Sequence, residues 1–151
     1  MKNLLAILLL FVGVSFVSAQ GDQQKPVKVE TSVSKSGDEL IVTINLKVED
    51  DWIVYDSLDG DVGPIPISFD HDLLQNLELI KIKKPKTKHK FDDVFEVDLW
   101  YFAHEAIYEL QYKITDKSFD PAGSLSMEYM CCNLTSGVCL PPKLSDVEVG
   151  N

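Results

Sequence analysis

The sequence contains no arginine. All 14 basic residues among its 151 are lysines, and 24 acidic residues give a formal net charge of −10. Nucleic-acid backbones are recognised by arginine forks and positively charged surfaces, so this composition argues against a nucleic-acid partner. Six lysines between residues 81 and 90 are expected along a solvated strand edge, where lysine discourages pairing with another sheet.

Long apolar runs are absent after residue 19. Before it, Lys2 precedes an apolar run from Leu4 to Val17, and Val17-Ser18-Ala19 resembles a cleavage site. Residues 1–19 are therefore predicted to be a secretory signal peptide. An uncleaved anchor is the less favoured alternative, because the run is shorter than the roughly 20 residues a spanning helix needs. The expected mature chain, residues 20–151, is one periplasmic or secreted domain that is not inserted in the membrane.

Helical periodicity is also absent from the expected mature chain. Short segments of alternating apolar and polar residues recur instead, and Glu39–Val48 is the clearest of them. This pattern predicts an all-β, immunoglobulin-like antiparallel β-sandwich of about eight strands. A sandwich of this size buries a sufficient core without disulfides. The candidate strands are 27–33, 39–48, 52–55, 67–69, 76–82, 95–102, 106–115, 124–129 and 147–149.

Cysteine is scarce, and all three cysteines lie between residues 131 and 139, just before Pro141-Pro142. An odd number leaves one thiol unpaired after a single bridge forms. Neighbouring side chains on a strand point to opposite faces, so only one of Cys131 and Cys132 can face Cys139. The spacing alone favours neither a structural disulfide nor a redox-active one.

No other residues form a recognisable catalytic or metal site. His71, His89 and His104 are scattered without ligand spacing or a nucleophile partner. Met127 and Met130, with the cysteines, are soft ligands suited to Cu(I), but the two methionines have opposite strand parity. No metal and no other cofactor is therefore expected.

Three segments resemble the amino-terminal periplasmic domain family of the thiol:disulfide interchange protein DsbD. The first combines Trp52–Tyr55 with the Gly63–Pro66 loop, the second is the acidic, aromatic segment Phe91–Glu96, and the third is the cysteine loop Cys132–Pro142. The similarity extends over residues 20–151, and only the cysteine loop is specific by itself. The resemblance implies an immunoglobulin-like fold, in agreement with the strand pattern.

The resemblance also implies a thiol–disulfide relay of the protein-disulfide reductase type. Cys132 and Cys139 would form the redox-active disulfide; Cys139 would form the mixed disulfide with a partner, and Cys132 would resolve it. A membrane-linked thioredoxin-like donor would supply reducing equivalents, and disulfide isomerases or cytochrome c maturation factors would receive them. The chain departs from the family in its extra Cys131 and in the six-residue insert between the paired cysteines. Since it contains no transmembrane or thioredoxin-like part, its donor is expected to be a separate protein. The domain itself is expected to be a monomer.

The acidic segment is expected to cover the disulfide. By resemblance, Asp92 and Asp93 would lie near the sulfurs, where negative charge raises a cysteine pKa. Either Phe91 or Phe95 would be the capping aromatic, and the sequence does not distinguish them. The alternative function is a non-catalytic β-sandwich binding module that carries a structural disulfide.

Overall fold

The computed structural model describes residues 25–150, whose regular structure consists entirely of strands. The all-β prediction is confirmed, although there are more strands than the eight or so expected. No helix in this range is long and apolar enough to cross a membrane. The predicted signal peptide lies outside the described residues. The strands are β1 (Val27–Ser36), β2 (Glu39–Val48), β3 (Trp52–Asp59), β4 (Ser68–Asp70), β5 (Leu77–Lys83), β6 (Lys88–Asp92), β7 (Val97–Phe102), β8 (Glu105–Ile114), β9 (Ser124–Tyr129), β10 (Cys131–Asn133) and β11 (Lys143–Glu148).

The strands form three antiparallel sheets in two layers. The first sheet has the order β1-β2-β8-β5, the second β10-β3-β7-β6, and the third β11-β9-β4. The second and third sheets form one layer, because β9 leads directly into β10 through Met130. Leu125, Met127, Tyr129 and Cys131 continue one buried alternation across that junction and pack against the first sheet. The predicted immunoglobulin-like sandwich is therefore confirmed.

The main core follows from alternation along the central strands. Every second residue of β2 is buried, from Leu40 to Val48, while the residues between them reach solvent. From β8, the Tyr108 hydroxyl crosses the core and donates a 2.6 Å hydrogen bond to Asp56. Lys84 pairs with the same carboxylate at 3.2 Å. These two partners compensate the buried carboxylate of Asp56, which lies at a bulge in β3.

Strand β6 is the main departure from the predicted element boundaries. Residues 83–94 belong to none of the candidate strands, but Lys88–Asp92 forms a strand that pairs with β7. β6 is an edge strand of the second sheet and β5 is an edge strand of the first. The lysine segment 81–90 therefore follows two sheet edges, as its composition indicates.

A second buried cluster lies on the outer face of the second sheet. Ile53, Tyr55, Leu99, Val97 and Cys132 pack together there, separate from the main core. The loop after β3 lies against this cluster, because a Cβ atom at position 60, where glycine has a φ of 153°, would be only 2.7 Å from Val97. Glycine is required at this close approach. The outer face thus has a small core of its own, and it contains a cysteine.

His71 couples the stability of the fold to pH. Its Nδ1 lies 2.8 Å from the hydroxyl of Tyr112. Burial lowers the pKa of His71, while Asp70 and Asp72 act in the opposite direction. The unfolded chain, with an ordinary histidine pKa of about 6.5, therefore binds more protons than the folded one. The contribution of His71 to stability is full above that pH and is lost as the pH falls through the folded pKa.

We expect the free energy of unfolding to fall more steeply between pH 7 and pH 5 in the native protein than in His71→Gln. Urea denaturation at the two pH values measures the difference. His104→Asn is the matched control, because His104 is exposed and Asn tolerates its left-handed backbone conformation. Equal pH dependence in the native protein and His71→Gln would contradict the assignment.

Candidate functional site

The register of β10 against β3 sends the two adjacent cysteines to opposite faces of the sheet. Cys131 pairs with Val54 and Cys132 pairs with Ile53. Cys131 lies in the main core, whereas Cys132 lies in the outer cluster. The expectation that their side chains diverge is thereby confirmed. Only Cys132 is on the face where a surface disulfide can form.

Cys132 and Cys139 are directly opposite each other in a short antiparallel pairing and form a disulfide. Their Cα atoms are 4.0 Å apart. The backbone hydrogen bonds flank the pair: Asn133 N–H donates to Val138 C=O, and Leu140 N–H donates to Cys131 C=O. The cysteines thus occupy a non-hydrogen-bonded position, where cross-strand side chains approach most closely.

The six-residue insert forms a tight turn organised by Asn133. Its side-chain oxygen accepts hydrogen bonds from the backbone N–H groups of Thr135 and Ser136, at 3.1 and 2.8 Å. Gly137 adopts a φ of 71°, a left-handed conformation that glycine adopts without steric cost. Leu134 N–H donates to Asp51 C=O and ties the turn to the start of β3. Because these bonds do not involve the sulfurs, they hold the cysteines opposite each other independently of the S–S bond.

The two paired cysteines differ in exposure. Cys132 is only 4% exposed, whereas Cys139 is exposed at the end of the turn. Thiol–disulfide exchange requires a thiolate to reach a sulfur in line with the S–S bond. An incoming thiolate has access to Cys139, and Cys132 is then the leaving group.

Cys131 is a free thiol that takes no part in this pair. It is 5% exposed and faces the sandwich core. Burial raises the pKa of its thiol, and Lys143 only partly offsets that effect. Cys131 is therefore a poor nucleophile in the folded protein.

The acidic, aromatic segment comprises the end of β6 and the turn, residues 93–96, that leads into β7. Asp92 accepts hydrogen bonds from the backbone N–H groups of Val94 and Phe95, at 3.0 and 3.2 Å, and so shapes the turn. Asp92 pairs with Val97, whereas the β7 residue in the row of Cys131 and Val54 is Phe102. Five residues of strand separate the two rows, an offset of about 17 Å along β7. The register therefore places the turn along the same sheet as the disulfide but not beside it.

The candidate capping aromatics are in different positions. Phe91 pairs with Asp98, next to the pair formed by Lys90 and Leu99. Since Leu99 faces the outer cluster, Phe91 faces the opposite side of the sheet from Cys132. Phe95 lies within the turn and is 43% exposed. Asp93 is likewise exposed in the turn.

Lys90 contributes a positive charge to the outer face that the sequence reading did not identify. Its Nζ lies 5.8 Å from the ring centroid of Tyr55 and 5.9 Å from that of Tyr101. Tyr55 belongs to the same buried cluster as Cys132, and burial together with the charge of Asp92 raises its pKa. The Nζ of Lys90 is 3.9 Å from Asp92. Lys90 and Asp92 are two residues apart and so share a face of a strand. This could have indicated their contact, but residues 88–92 were not predicted to be a strand.

The described residues contain no group of three or more histidine, cysteine or acidic side chains placed to hold a metal ion. The two methionines considered for Cu(I) lie on different faces: Met127 is in the main core, and Met130 packs against the outer cluster. This arrangement gives no support to a shared soft-metal site.

Comparison with known proteins identifies the family. The family model described as "Thiol:disulfide interchange protein DsbD, N-terminal" matches residues 22–150. The chain is similar to the reduced DsbD N-terminal domain of Neisseria meningitidis, with a TM-score of 0.57, 21% identity, and coverage of 84% of this chain and 86% of that one. It is also similar to the N-terminal periplasmic domain of ScsB from Proteus mirabilis, with a TM-score of 0.50, 12% identity, and coverage of 84% and 46%. At these identities the structural likeness shows a common fold. No curated protein matches the chain.

The burial of Cys131 and the pairing of the other two cysteines predict a specific pattern of alkylation. In the oxidised, folded protein, iodoacetamide should label almost no thiol. After unfolding without reductant it should label one thiol per chain, at Cys131. Peptide mass spectrometry locates the label, and Cys131→Ser, which should remain unlabelled in both states, is the control. Label at Cys132 or Cys139 under these conditions would contradict the pairing.

Proposed function

Because the chain belongs to the family of DsbD N-terminal domains, we propose that it is an exported thiol–disulfide interchange module. Its Cys132–Cys139 disulfide relays reducing equivalents from a membrane-linked thioredoxin-like donor to exported acceptors. Disulfide isomerases and cytochrome c maturation factors are the proposed acceptors. The observation that carries the proposal is a surface disulfide in which one cysteine is exposed and the other is buried.

In the first half of the cycle, the domain is reduced by its donor. A donor thiolate attacks the sulfur of Cys139, the S–S bond to Cys132 breaks, and the electron pair leaves with Cys132, which takes up a proton. The second donor thiolate then attacks the donor sulfur of the mixed disulfide and releases Cys139. The donor dithiol is oxidised to a disulfide, and the domain disulfide is reduced to two thiols.

In the second half, the domain reduces an acceptor. The thiolate of Cys139 attacks the acceptor disulfide and forms a mixed disulfide, releasing one acceptor sulfur as a thiolate. Cys132 then loses its proton and attacks the sulfur of Cys139, which restores the internal disulfide and releases the second acceptor thiolate. The hairpin favours this step because its hydrogen bonds keep Cys132 opposite Cys139.

The same chemistry supports the proposed exported location. A disulfide that cycles against a dedicated reductant is useful in an oxidising compartment. The predicted signal peptide and the periplasmic source of the related ScsB domain support a periplasmic location. We propose that the domain meets its partners there as a soluble monomer.

The turn between β6 and β7 is the proposed cap. Asp92 shapes this turn and interacts with Lys90 on the disulfide-bearing face, while Asp93 is exposed beside it. The pairing of β6 with β7 does not by itself bring the turn to the disulfide. For Phe95 to shield the disulfide, the turn must also bend across the outer cluster toward it. In that position the two carboxylates would raise the cysteine pKa values and slow reactions with unintended partners.

The asymmetry between the cysteines predicts different trapping behaviour. Cys132→Ala should accumulate mixed disulfides through Cys139, because the exposed thiol reacts but nothing resolves the product. Cys139→Ala should accumulate far fewer, since Cys132 is buried. Non-reducing electrophoresis of exported fractions, followed by mass spectrometry of the adducts, measures the difference.

Both trapping variants are made in a Cys131→Ala background, so that the third thiol cannot contribute. Equal adduct formation by the two variants would contradict the assigned roles. An absence of adducts in both, although Cys139 remains reactive toward a small disulfide, would instead favour a binding module with a structural disulfide.

The cap predicts a selective effect of the two phenylalanines. Phe95→Ala should increase the rate at which the reduced domain reacts with a non-cognate oxidant such as oxidised glutathione, because shielding is removed. Phe91→Ala is the matched control: it removes the same side chain from the opposite face and should leave the rate unchanged. Stopped-flow tryptophan fluorescence measures both rates. If neither variant reacts faster, the cap has no role in protecting the thiols.

A further inference from the structure

The turn that follows Cys132 is joined to the body of the described domain by a single hydrogen bond. Leu134 N–H donates to the carbonyl of Asp51 at 2.7 Å, one row beyond the last pair of β10 with β3. Every other hydrogen bond of residues 134–138, within the part of the chain that the structure describes, stays inside the hairpin. The position of the turn relative to the sheet therefore depends on this bond.

Asp51 has a backbone conformation that is uncommon outside glycine. Its φ is 63°, and it is the third residue of a tight turn that is closed by a 3.1 Å hydrogen bond from Trp52 N–H to Glu49 C=O. A positive φ at this position of a turn favours glycine or asparagine and is costly for a β-branched residue. Residues other than glycine that are held in such conformations cluster at functional sites.

Two further backbone hydrogen bonds fix the corner that carries Asp51. Val48 N–H, at the end of β2, donates to His104 C=O at 2.6 Å. Glu49 N–H donates to Pro26 C=O, just before β1, at 2.8 Å. The corner is thereby attached to both the β7–β8 connection and the start of β1. The carbonyl of Asp51 is a fixed point of the sandwich against which the turn is held.

This bond has its largest effect when the disulfide is open. In the reduced protein, only the hydrogen bonds of the hairpin and its attachment to the sheet keep Cys139 opposite Cys132. Restricting the turn raises the effective concentration of one thiol at the other. A higher effective concentration stabilises the disulfide relative to the two thiols and makes the midpoint potential more negative.

We propose that Asp51 is a positioning residue of the exchange site, which acts through its backbone carbonyl and lowers the midpoint potential of the Cys132–Cys139 disulfide. Its left-handed conformation at the fixed corner presents the carbonyl to Leu134 N–H, and the resulting bond limits the motion of the turn. The inference rests on the proposed thiol–disulfide exchange and identifies a group that tunes it.

Leu134→Pro removes the hydrogen-bond donor and suits the local backbone. Residue 134 is the second residue of the turn that begins at Asn133, a position that favours proline, and Asn133 is extended, as the residue before a proline prefers. The loss of one hydrogen bond should lower the effective concentration about two- to tenfold. The midpoint should therefore become less negative by about 10 to 30 mV. Leu134→Ala retains the N–H and is the matched control, with the native midpoint expected.

A second pair of variants tests the conformation of Asp51. Asp51→Val disfavours a positive φ and should shift the midpoint in the same direction as Leu134→Pro. Asp51→Asn removes the same negative charge but tolerates the left-handed conformation, so it should keep the native midpoint. The double variant Leu134→Pro/Asp51→Val should shift no further than the larger single shift, because both changes break the same bond.

The midpoints are measured by equilibration in graded dithiothreitol buffers, alkylation and mass spectrometry, after near-ultraviolet circular dichroism has shown that each oxidised variant is folded. If one of the two test variants does not fold, the other pair decides. A native midpoint in a folded Leu134→Pro or Asp51→Val overturns the proposal, and so does an equal shift in its matched control.

The outcome is separate from that of the proposed function. The comparison uses differences between variants, which dithiothreitol buffers measure even for a very stable bridge. A native bridge that glutathione cannot reduce would contradict the proposed relay, whereas the order of the variants tests the positioning role of Asp51.

Discussion

The opposite orientation of Cys131 and Cys132 is the constraint on which the site depends. It follows from the pairing of β10 with β3, in which Cys131 faces the main core and Cys132 faces the outer cluster. A slip of one residue would exchange the two side chains between the faces. Cys132 would then face the main core, away from Cys139, and Cys131 would take its place in the outer cluster. The hydrogen bond from Leu140 N–H to Cys131 C=O and the turn around Asn133 secure the register.

The fold allows the disulfide to open without loss of the main core. The main core spans both layers and contains neither Cys132 nor Cys139. In the chain-entropy model, opening a loop of eight residues lowers stability by about 2.5 kcal/mol. The outer cluster and the hairpin hydrogen bonds remain to hold the two thiols opposite each other. A disulfide in this position can therefore cycle between oxidised and reduced states on an otherwise intact domain.

Alternation was sufficient to predict the fold class and the central strands. Glu39–Val48 has the predicted bounds, because both of its neighbouring strands reinforce the pattern. Strand β6 was not predicted, since an edge strand rich in lysine lacks an apolar alternation. Cys132 was correctly paired with Cys139, but only through the family resemblance. The position of Phe95 along the sheet and the contact of Lys90 with Tyr55 depend on cross-strand register, which local sequence does not specify.

The central claim is that the Cys132–Cys139 bridge opens and closes under exported conditions. The most direct measurement is its midpoint potential, obtained by equilibrating the protein in graded glutathione or dithiothreitol buffers and counting alkylated thiols. A bridge that works as a relay is expected to have a midpoint within the range of working redox proteins, between about −120 and −270 mV. A bridge that stays closed below about −300 mV would be a structural disulfide and would contradict the account.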